Sequence, residues 1–362
     1  MNPLQARVAQ WVREDVRALT AYHVPPAAGL IKLDAMENPY GLPDALRAEW
    51  ARVLCDAPLN RYPDADAPRV KHQLRATQGV PDGCDILLGN GSDEIIQMIV
   101  LAVAQTGRAI LAPEPTFVMY RMIALYAGLR FAGVPLREDF ALDVTAMLEA
   151  LEREEPAVVF LAYPNNPTGN LFDERDIAQI IEAAPGLVVI DEAYAPFAEA
   201  SYLSRVLQYD NVVVMRTLSK MGLAGLRLGY LAGAAAWLQE FDKLRLPYNI
   251  NVLTQFSTDF LLQHQAMFDA QTAELRRARD ELCLELAALP NFQVYPSRAN
   301  FILLRVPTGQ GTPIFDHLRR HGVLIKNLHG QGGQLLDCLR VTVGTAQENR
   351  TFLDILGHYV AA

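Results

Sequence analysis

Residues 158–194 read VVFLAYPNNPTGNLFDERDIAQIIEAAPGLVVIDEAY. Five apolar residues, Val158–Ala162, give way to the turn-forming string Tyr163-Pro164-Asn165-Asn166-Pro167-Thr168-Gly169. A segment of helical period follows over Glu174–Ala183, then four apolar residues, Leu187–Ile190, that end on Asp191. Short, almost continuous apolar runs separated by a helix describe strands buried on both faces, hence a parallel sheet covered above and below. The rhythm extends outward: Ile86–Leu88, Ala109–Leu111 and Val212–Met215 are further strand-like runs, and Glu94–Ala104 and Val144–Leu151 have helical period. The fold class is therefore α/β, a mostly parallel central sheet with helices on both faces plus a smaller α+β domain.

Past about residue 250 the texture changes. Gln271–Leu289 reads as a long amphipathic helix with Leu275, Ala278, Leu282, Leu286 and Leu289 on one stripe. Strands are expected at Phe301–Val306, Val323–Lys326 and Leu339–Val343, then a last helix opened by the capping box Thr345-Ala-Gln-Glu348 and carrying Phe352, Leu356 and Tyr359 inward. The expected division is a large α/β domain over 36–250 and a small domain formed by 1–35 with 251–362.

The chain has 362 residues, 51% of them hydrophobic and 20% charged, ample for a buried core. With 32 Lys+Arg against 41 Asp+Glu the net charge is −9, a poor match to nucleic acid or an anionic membrane surface. Cys55, Cys84, Cys283 and Cys338 show no metal-ligand spacing and read as reduced thiols of a cytoplasmic protein. The N-terminus has no signal-peptide pattern, and the apolar run Ile95–Ala104, broken by Gln97, is about half of what a bilayer span needs.

In an open α/β sheet, ligands sit beyond the carboxyl ends of the strands, so the polar residues there are the candidates. Gly89-Asn90-Gly91-Ser92-Asp93-Glu94 opens a helix whose free N–H groups suit phosphate; a plain turn with Ser92 as N-cap explains the same residues. Asn166 is either an amide aimed into the crevice or turn chemistry only. Asp191, with Tyr194 close behind, can face a metal, a sugar hydroxyl or a protonated ring nitrogen, or cap a helix. Lys220 follows a strand, with Ser219 beside it and Arg227 seven residues on. Partial desolvation near other cations gives a lysine the lowered pKa that Schiff-base chemistry needs. Arg340, within an apolar strand, needs an anionic partner, internal or a substrate carboxylate. An amine, a carboxylate, an amide, a phenol and two phosphate-type groups together match the edges of pyridoxal phosphate, with no metal set competing.

These segments, with Glu37-Asn38-Pro39-Tyr40-Gly41, Arg61-Tyr62-Pro63-Asp64, Pro115-Thr116-Phe117 and Leu339-Arg340-Val341-Thr342-Val343-Gly344, resemble the fold-type-I pyridoxal-phosphate-dependent aminotransferases. The Arg-Tyr-Pro-Asp and Leu-Arg-Val-Thr-Val-Gly segments resemble their histidinol-phosphate branch. The resemblance covers about Leu33 to the C-terminus. It implies that Lys220 carries the cofactor covalently and shuttles a proton, that Asp191 pairs with the ring nitrogen, and that Asn166 and Tyr194 bond the ring oxygen. Ser92 and Asp93 (through backbone), Ser219 and Arg227 would hold the phosphate. Phe117, or less favoured Tyr120, would stack on the ring, and Tyr62 would reach the phosphate of a neighbouring subunit in a homodimer. Arg340 would clamp the substrate carboxylate, with Asn38, Tyr22 and Asn90 near the substrate.

The resemblance departs at two places. The interval from Lys220 to Arg227 is one residue shorter than in many relatives. Asn327, after Lys326, stands where many carry an arginine for the substrate phosphate; either these two bind it differently or the substrate carries none. The implied activity is transamination between glutamate and imidazole acetol phosphate, giving 2-oxoglutarate and histidinol phosphate. An aromatic or broad-range aminotransferase on the same scaffold is the alternative, followed by a phosphorylated-amino-acid decarboxylase. A DNA-binding regulator is disfavoured by the short N-terminus and the acidic balance.

Overall fold

The computed structural model describes residues 2–21, 25–105 and 107–361. Seven strands form the central sheet in the spatial order Asp85–Gly89, Gly229–Gly233, Val212–Thr217, Leu187–Asp191, Val158–Ala162, Ala109–Glu114, Arg130–Pro135. Gly229–Gly233 runs antiparallel to both of its neighbours and the other pairings are parallel. The alternation of side chains explains the unbroken apolar runs. Val158, Phe160 and Ala162 enter one core while Val159 and Leu161 enter the other, and Leu187/Val189 and Val188/Ile190 divide likewise. Each strand thus loses water on both faces. Two of the helices between strands, Val144–Glu154 and Glu174–Ala183, begin on side-chain caps: Asp143 accepts from the Ala146 N–H and Asp173 from the Arg175 N–H. Such caps contribute about 1 kcal/mol each.

A second sheet, in the order Lys326–Asn327, Cys338–Thr342, Phe301–Arg305, Gln293–Val294, is antiparallel and packs its apolar face on a separate core containing Leu282, Ile302, Val341 and Phe352. The strand expected over Val323–Lys326 is divided. Val323–Leu324 pairs in parallel with Ile31–Lys32, and Lys326–Asn327 pairs with Cys338–Thr342, so the chain changes sheets at Ile325. The long helix spans Gln265–Ala287, starting earlier than its leucine stripe indicates because Phe268 and Thr272 extend the buried face. It stops before Leu289. The capping box is present: the Thr345 N–H donates to Glu348 at 2.8 Å and the Glu348 N–H to Thr345 at 3.3 Å. Residues 31–33 join the small sheet's layer. The helices Pro3–Trp11 and Glu14–Arg17 bury no residue, and Arg13 instead donates to the carbonyls of Tyr126 and Leu125 on the large sheet's side.

Candidate active site

The strands Val158–Ala162, Leu187–Asp191 and Val212–Thr217 are adjacent and parallel, so Asn166, Asp191 and Lys220 leave the same edge of the sheet. Asp85–Gly89 is antiparallel to a strand that is itself antiparallel to Val212–Thr217, which brings the Gly89–Ser92 turn to that edge too. A cavity of about 410 Å³ opens there, walled by Ser92, Asp93, Phe117, Asn166, Asp191, Tyr194, Ser219, Lys220 and Arg227, with Ala35–Glu37 across from them. Nine sequence-selected residues thus share one hollow.

One end of the cavity is built for an anion. The helix Ser92–Ala102 starts at Ser92 with Gly91 as N-cap and no side-chain cap, so its first N–H groups are not taken up by a capping side chain. Ser92 is therefore the first helical residue rather than the cap. Arg227 lies against Gly91 so closely that a Cβ there would sit 2.4 Å from the guanidinium. The guanidinium is 3.4 Å from the Ser219 hydroxyl and 3.5 Å from the Asp93 carboxylate. Glu94 turns away, accepting from the Asn90 N–H and the Asn249 amide. The shortened interval between Lys220 and Arg227 is taken up by a wide turn. Leu223 N–H bonds the Leu218 carbonyl five residues back, Gly222 sits at φ 130°, and Arg227 itself at φ 50°. A left-handed arginine costs of order 1 kcal/mol, and it directs the side chain back to the cradle.

Lys220 Nζ bonds the Ala35 carbonyl at 3.2 Å and lies 5.6 Å from the Tyr194 ring centre. Burial, reinforced by the Arg340 charge, lowers its pKa to about 8. Asp191 is buried on the wall of the same cavity, and burial raises its pKa to about 6 against the pull of two hydrogen bonds. These come from the Tyr120 hydroxyl to Oδ2 at 2.6 Å and the Ala193 N–H to Oδ1 at 3.0 Å. Tyr194 is buried, which raises its pKa and keeps the phenol protonated as a donor. Arg340 Nη1 donates to the Asn166 side-chain oxygen at 2.5 Å, and Nη2 to the Asp34 carbonyl at 2.9 Å. With its oxygen engaged, Asn166 has its amide NH₂, a pure donor, to offer the cavity.

Other selected residues lie elsewhere. Asn38 is off the cavity wall and serves the lysine's loop, donating to the Met221 carbonyl at 2.9 Å and to Gln271 at 3.0 Å. Asn90 is exposed. Asn327 turns to Thr312 and accepts from the His329 N–H. Tyr62 is 80% exposed and stacks on Tyr248, away from the cavity of its own chain. Tyr22 lies outside the described residues. Of the two rings considered for stacking, Phe117 is on the cavity wall, and Tyr120, the less favoured one, is off it and bonded to Asp191. Two contributors escaped the sequence reading. Thr217 Oγ1 bonds Ser219, which orients the cradle hydroxyl. Glu192 and Arg216 form a buried ion pair at 2.7 Å that ties the two central strand tips together. Their only sequence signal is position, each directly beside a tip residue.

The model of the aminotransferase class I and II family matches residues 28–356. The chain is 56% identical, over 97% of both proteins, to histidinol-phosphate aminotransferase 2 of Nitrosococcus oceani. It is 50% identical to the histidinol-phosphate aminotransferase of Chromobacterium violaceum, over 98% of this chain and 99% of that protein. Among solved structures, the histidinol-phosphate aminotransferase of Sinorhizobium meliloti in complex with pyridoxal-5'-phosphate superposes with a TM-score of 0.85 over 96% of this chain and 97% of that one. At 23% identity that likeness speaks for the fold.

Proposed function

The chain belongs to the aminotransferase class I and II family, and on that premise we propose that it transfers the amino group of glutamate to imidazole acetol phosphate, yielding 2-oxoglutarate and histidinol phosphate in histidine biosynthesis. The observation that carries the reading is a partly desolvated amine and a buried carboxylate on the wall of one anion-cradled cavity, in a chain more than half identical to a protein named for this reaction.

Pyridoxal phosphate is the cofactor of the family, and the cavity's donor set fits it. The Ser92 end of its helix, Ser219 and Arg227 would hold the phosphate; Asn166 and Tyr194 would donate to the ring oxygen; Asp191 would face the ring nitrogen; Phe117 would cover the ring. When bound, the cofactor supplies the electron sink that allows an α-proton to leave. Lys220 Nζ, freed from the Ala35 carbonyl, takes that proton and returns it, a task suited to a group whose pKa lies near neutrality. Arg340 exchanges a neutral acceptor, the Asp34 carbonyl, for the substrate carboxylate, a stronger partner for its planar fork.

For the substrate's second anionic group we assign Lys326 rather than Asn327. Lys326 pairs directly with Arg340 across the strands, which places both side chains on one sheet face, while Asn327 turns to Thr312. Burial and the Arg340 charge lower the Lys326 pKa, the signature of a cation that gains from an incoming anion. Lys326→Ala should raise KM for histidinol phosphate about 10- to 100-fold, the loss of one charge-assisted hydrogen bond. Phenylalanine, which has no phosphate, should respond little in steady-state assays. Equal losses on both donors would return the phosphate to another residue.

The homodimer and the cytoplasmic setting belong to this reading as well. Trp11, Leu59, Tyr62 and Leu246 are large, apolar and at least 70% exposed, a pattern suited to a second copy's surface, from which Tyr62 would reach the neighbouring phosphate cradle. The four cysteines are free. No helix among the described residues is long and apolar enough to cross a membrane. For the division into a large part over 36–250 and a small part from 1–35 and 251–362, the support is the small sheet's own core of Leu282, Ile302, Val341 and Phe352, while Leu261, Leu262 and Phe268 from beyond residue 250 pack into the large sheet's core. The activity is tested with a panel of amino donors at fixed 2-oxoglutarate. Histidinol phosphate is expected to exceed phenylalanine and tyrosine in kcat/KM by at least about 10²-fold, the worth of a recognised anionic group; parity would favour a broad-range aromatic aminotransferase.

A further inference from the structure

Tyr120 is fully buried on the helix Met119–Tyr126, and its hydroxyl donates to the buried Asp191 carboxylate of the cavity wall. We propose that Tyr120 is a positioning residue for transamination, holding the Asp191 carboxylate in a single orientation and in its ionised form for the ring nitrogen of the cofactor. The inference rests on the cofactor reading for its purpose, but the contact itself belongs to the protein alone.

The ring of Tyr120 is fixed from two sides. It stacks on Phe160 with centres 4.6 Å apart and planes 10° apart, and meets Phe117 edge-on at 5.6 Å. The hydroxyl therefore cannot swing to another acceptor without moving the core. It reaches Oδ2 of Asp191 at 2.6 Å, while the Ala193 N–H takes Oδ1 at 3.0 Å. Two donors in fixed places, one per oxygen, define the plane of the carboxylate. Each oxygen retains a lone-pair site, so the group can still accept from a ring N–H.

The charges around Asp191 make the same contact electrostatically necessary. Asp93 from the helix Ser92–Ala102 and Glu192, the residue directly after Asp191, both act to keep the carboxyl protonated, as does burial, which is the largest influence. Tyr194 faces it as a neutral phenol. The influences in the other direction are the Tyr120 hydroxyl and the Ala193 N–H. Only the first is a side chain, and therefore a group that can be removed while the backbone is left alone.

Tyr120→Phe deletes the hydroxyl and keeps both ring contacts. In the apoprotein, ¹³C-aspartate NMR should show the Asp191 carboxyl titrating about one to two units higher than in the wild type. In the holoenzyme the acid limb of kcat/KM should move up by a similar amount, and pyridoxal phosphate should be released about 10-fold more readily. A double-mutant cycle with Asp191→Asn protects the test against a general loss of packing. If the hydroxyl acts through the carboxylate, Tyr120→Phe should change cofactor affinity less than about 2-fold in the Asp191→Asn background. An unchanged Asp191 titration, or the same loss of affinity with and without the carboxylate, would overturn the proposal. Failure of the wild type to bind pyridoxal phosphate would overturn the functional reading instead, and the apoprotein titration would still decide whether Tyr120 governs Asp191.

Discussion

Lys220→Ala is expected to lose transamination by more than about 10⁴-fold and to leave no cofactor on the chain after borohydride reduction and mass spectrometry. The size of the effect follows from two tasks resting on one amine. The first is covalent attachment, which needs the neutral form. At pH 7 a lysine of pKa 10.5 is neutral in about three molecules in ten thousand; lowered to about 8, it is neutral in about one in ten. The second is proton transfer, which needs a group that both accepts and releases a proton in the working pH range. Lys220→Arg should be as damaging, because a guanidinium stays protonated and forms no such linkage. Retained turnover in either variant, or a reduced adduct mapped to another lysine, would remove the basis of the functional reading.

The residues of this site were legible to the extent that they follow strands with a strong local signal. Val158–Ala162, Leu187–Ile190 and Val212–Met215 announce themselves by β-branched, apolar composition, and the polar residues after them converge because parallel neighbours end at one edge. The strand Gly229–Gly233 has no such signal. It reads Gly-Tyr-Leu-Ala-Gly, and glycine stands at 229 because the phosphate turn crosses over it: a Cβ on Gly229 would sit 2.7 Å from the Ser92 nitrogen. What disguises the strand in the sequence is thus the close approach that makes the cradle. The contact of Tyr120 with Asp191 is hidden for a different reason. Its hydrogen bond spans 71 positions of sequence, and no local pattern encodes a partner at that separation. Asn38 illustrates the converse. Its neighbourhood in the motif is right, but its amide is spent on the Met221 carbonyl and on Gln271, so it shapes the loop that presents Lys220 rather than facing the cavity. Asn327 was chosen by counting along the chain, whereas strand register puts Lys326 on the face shared with Arg340.

Asp191→Asn should lower transamination by about 10²- to 10³-fold, since it removes a preorganised charge from the point where positive charge must be held. It should also alter how stability depends on pH, and that second effect needs no cofactor. The Asp191 carboxyl is raised from 3.8 in the unfolded chain to about 6 in the folded one. Between those values the native state binds a proton that the unfolded state has released. Stability contributed by this group is therefore present at low pH and lost as pH rises through the folded value. A shift of about two units corresponds to about 3 kcal/mol. The asparagine variant has no proton to lose, so the apoprotein of the wild type should fall by about that amount relative to the variant between pH 4 and pH 7 in urea titrations. The absolute offset between the two is a separate matter. Asparagine can accept from the Tyr120 hydroxyl, but its NH₂ then confronts the Ala193 N–H, a donor against a donor. That mismatch lowers the variant by a constant amount across the range, so the diagnostic quantity is the slope of the difference with pH. A difference that stays flat from pH 4 to 7 would mean that Asp191 is ionised in the folded apoprotein at ordinary acidity. The wall of the cavity would then hold a negative charge before any ring arrives.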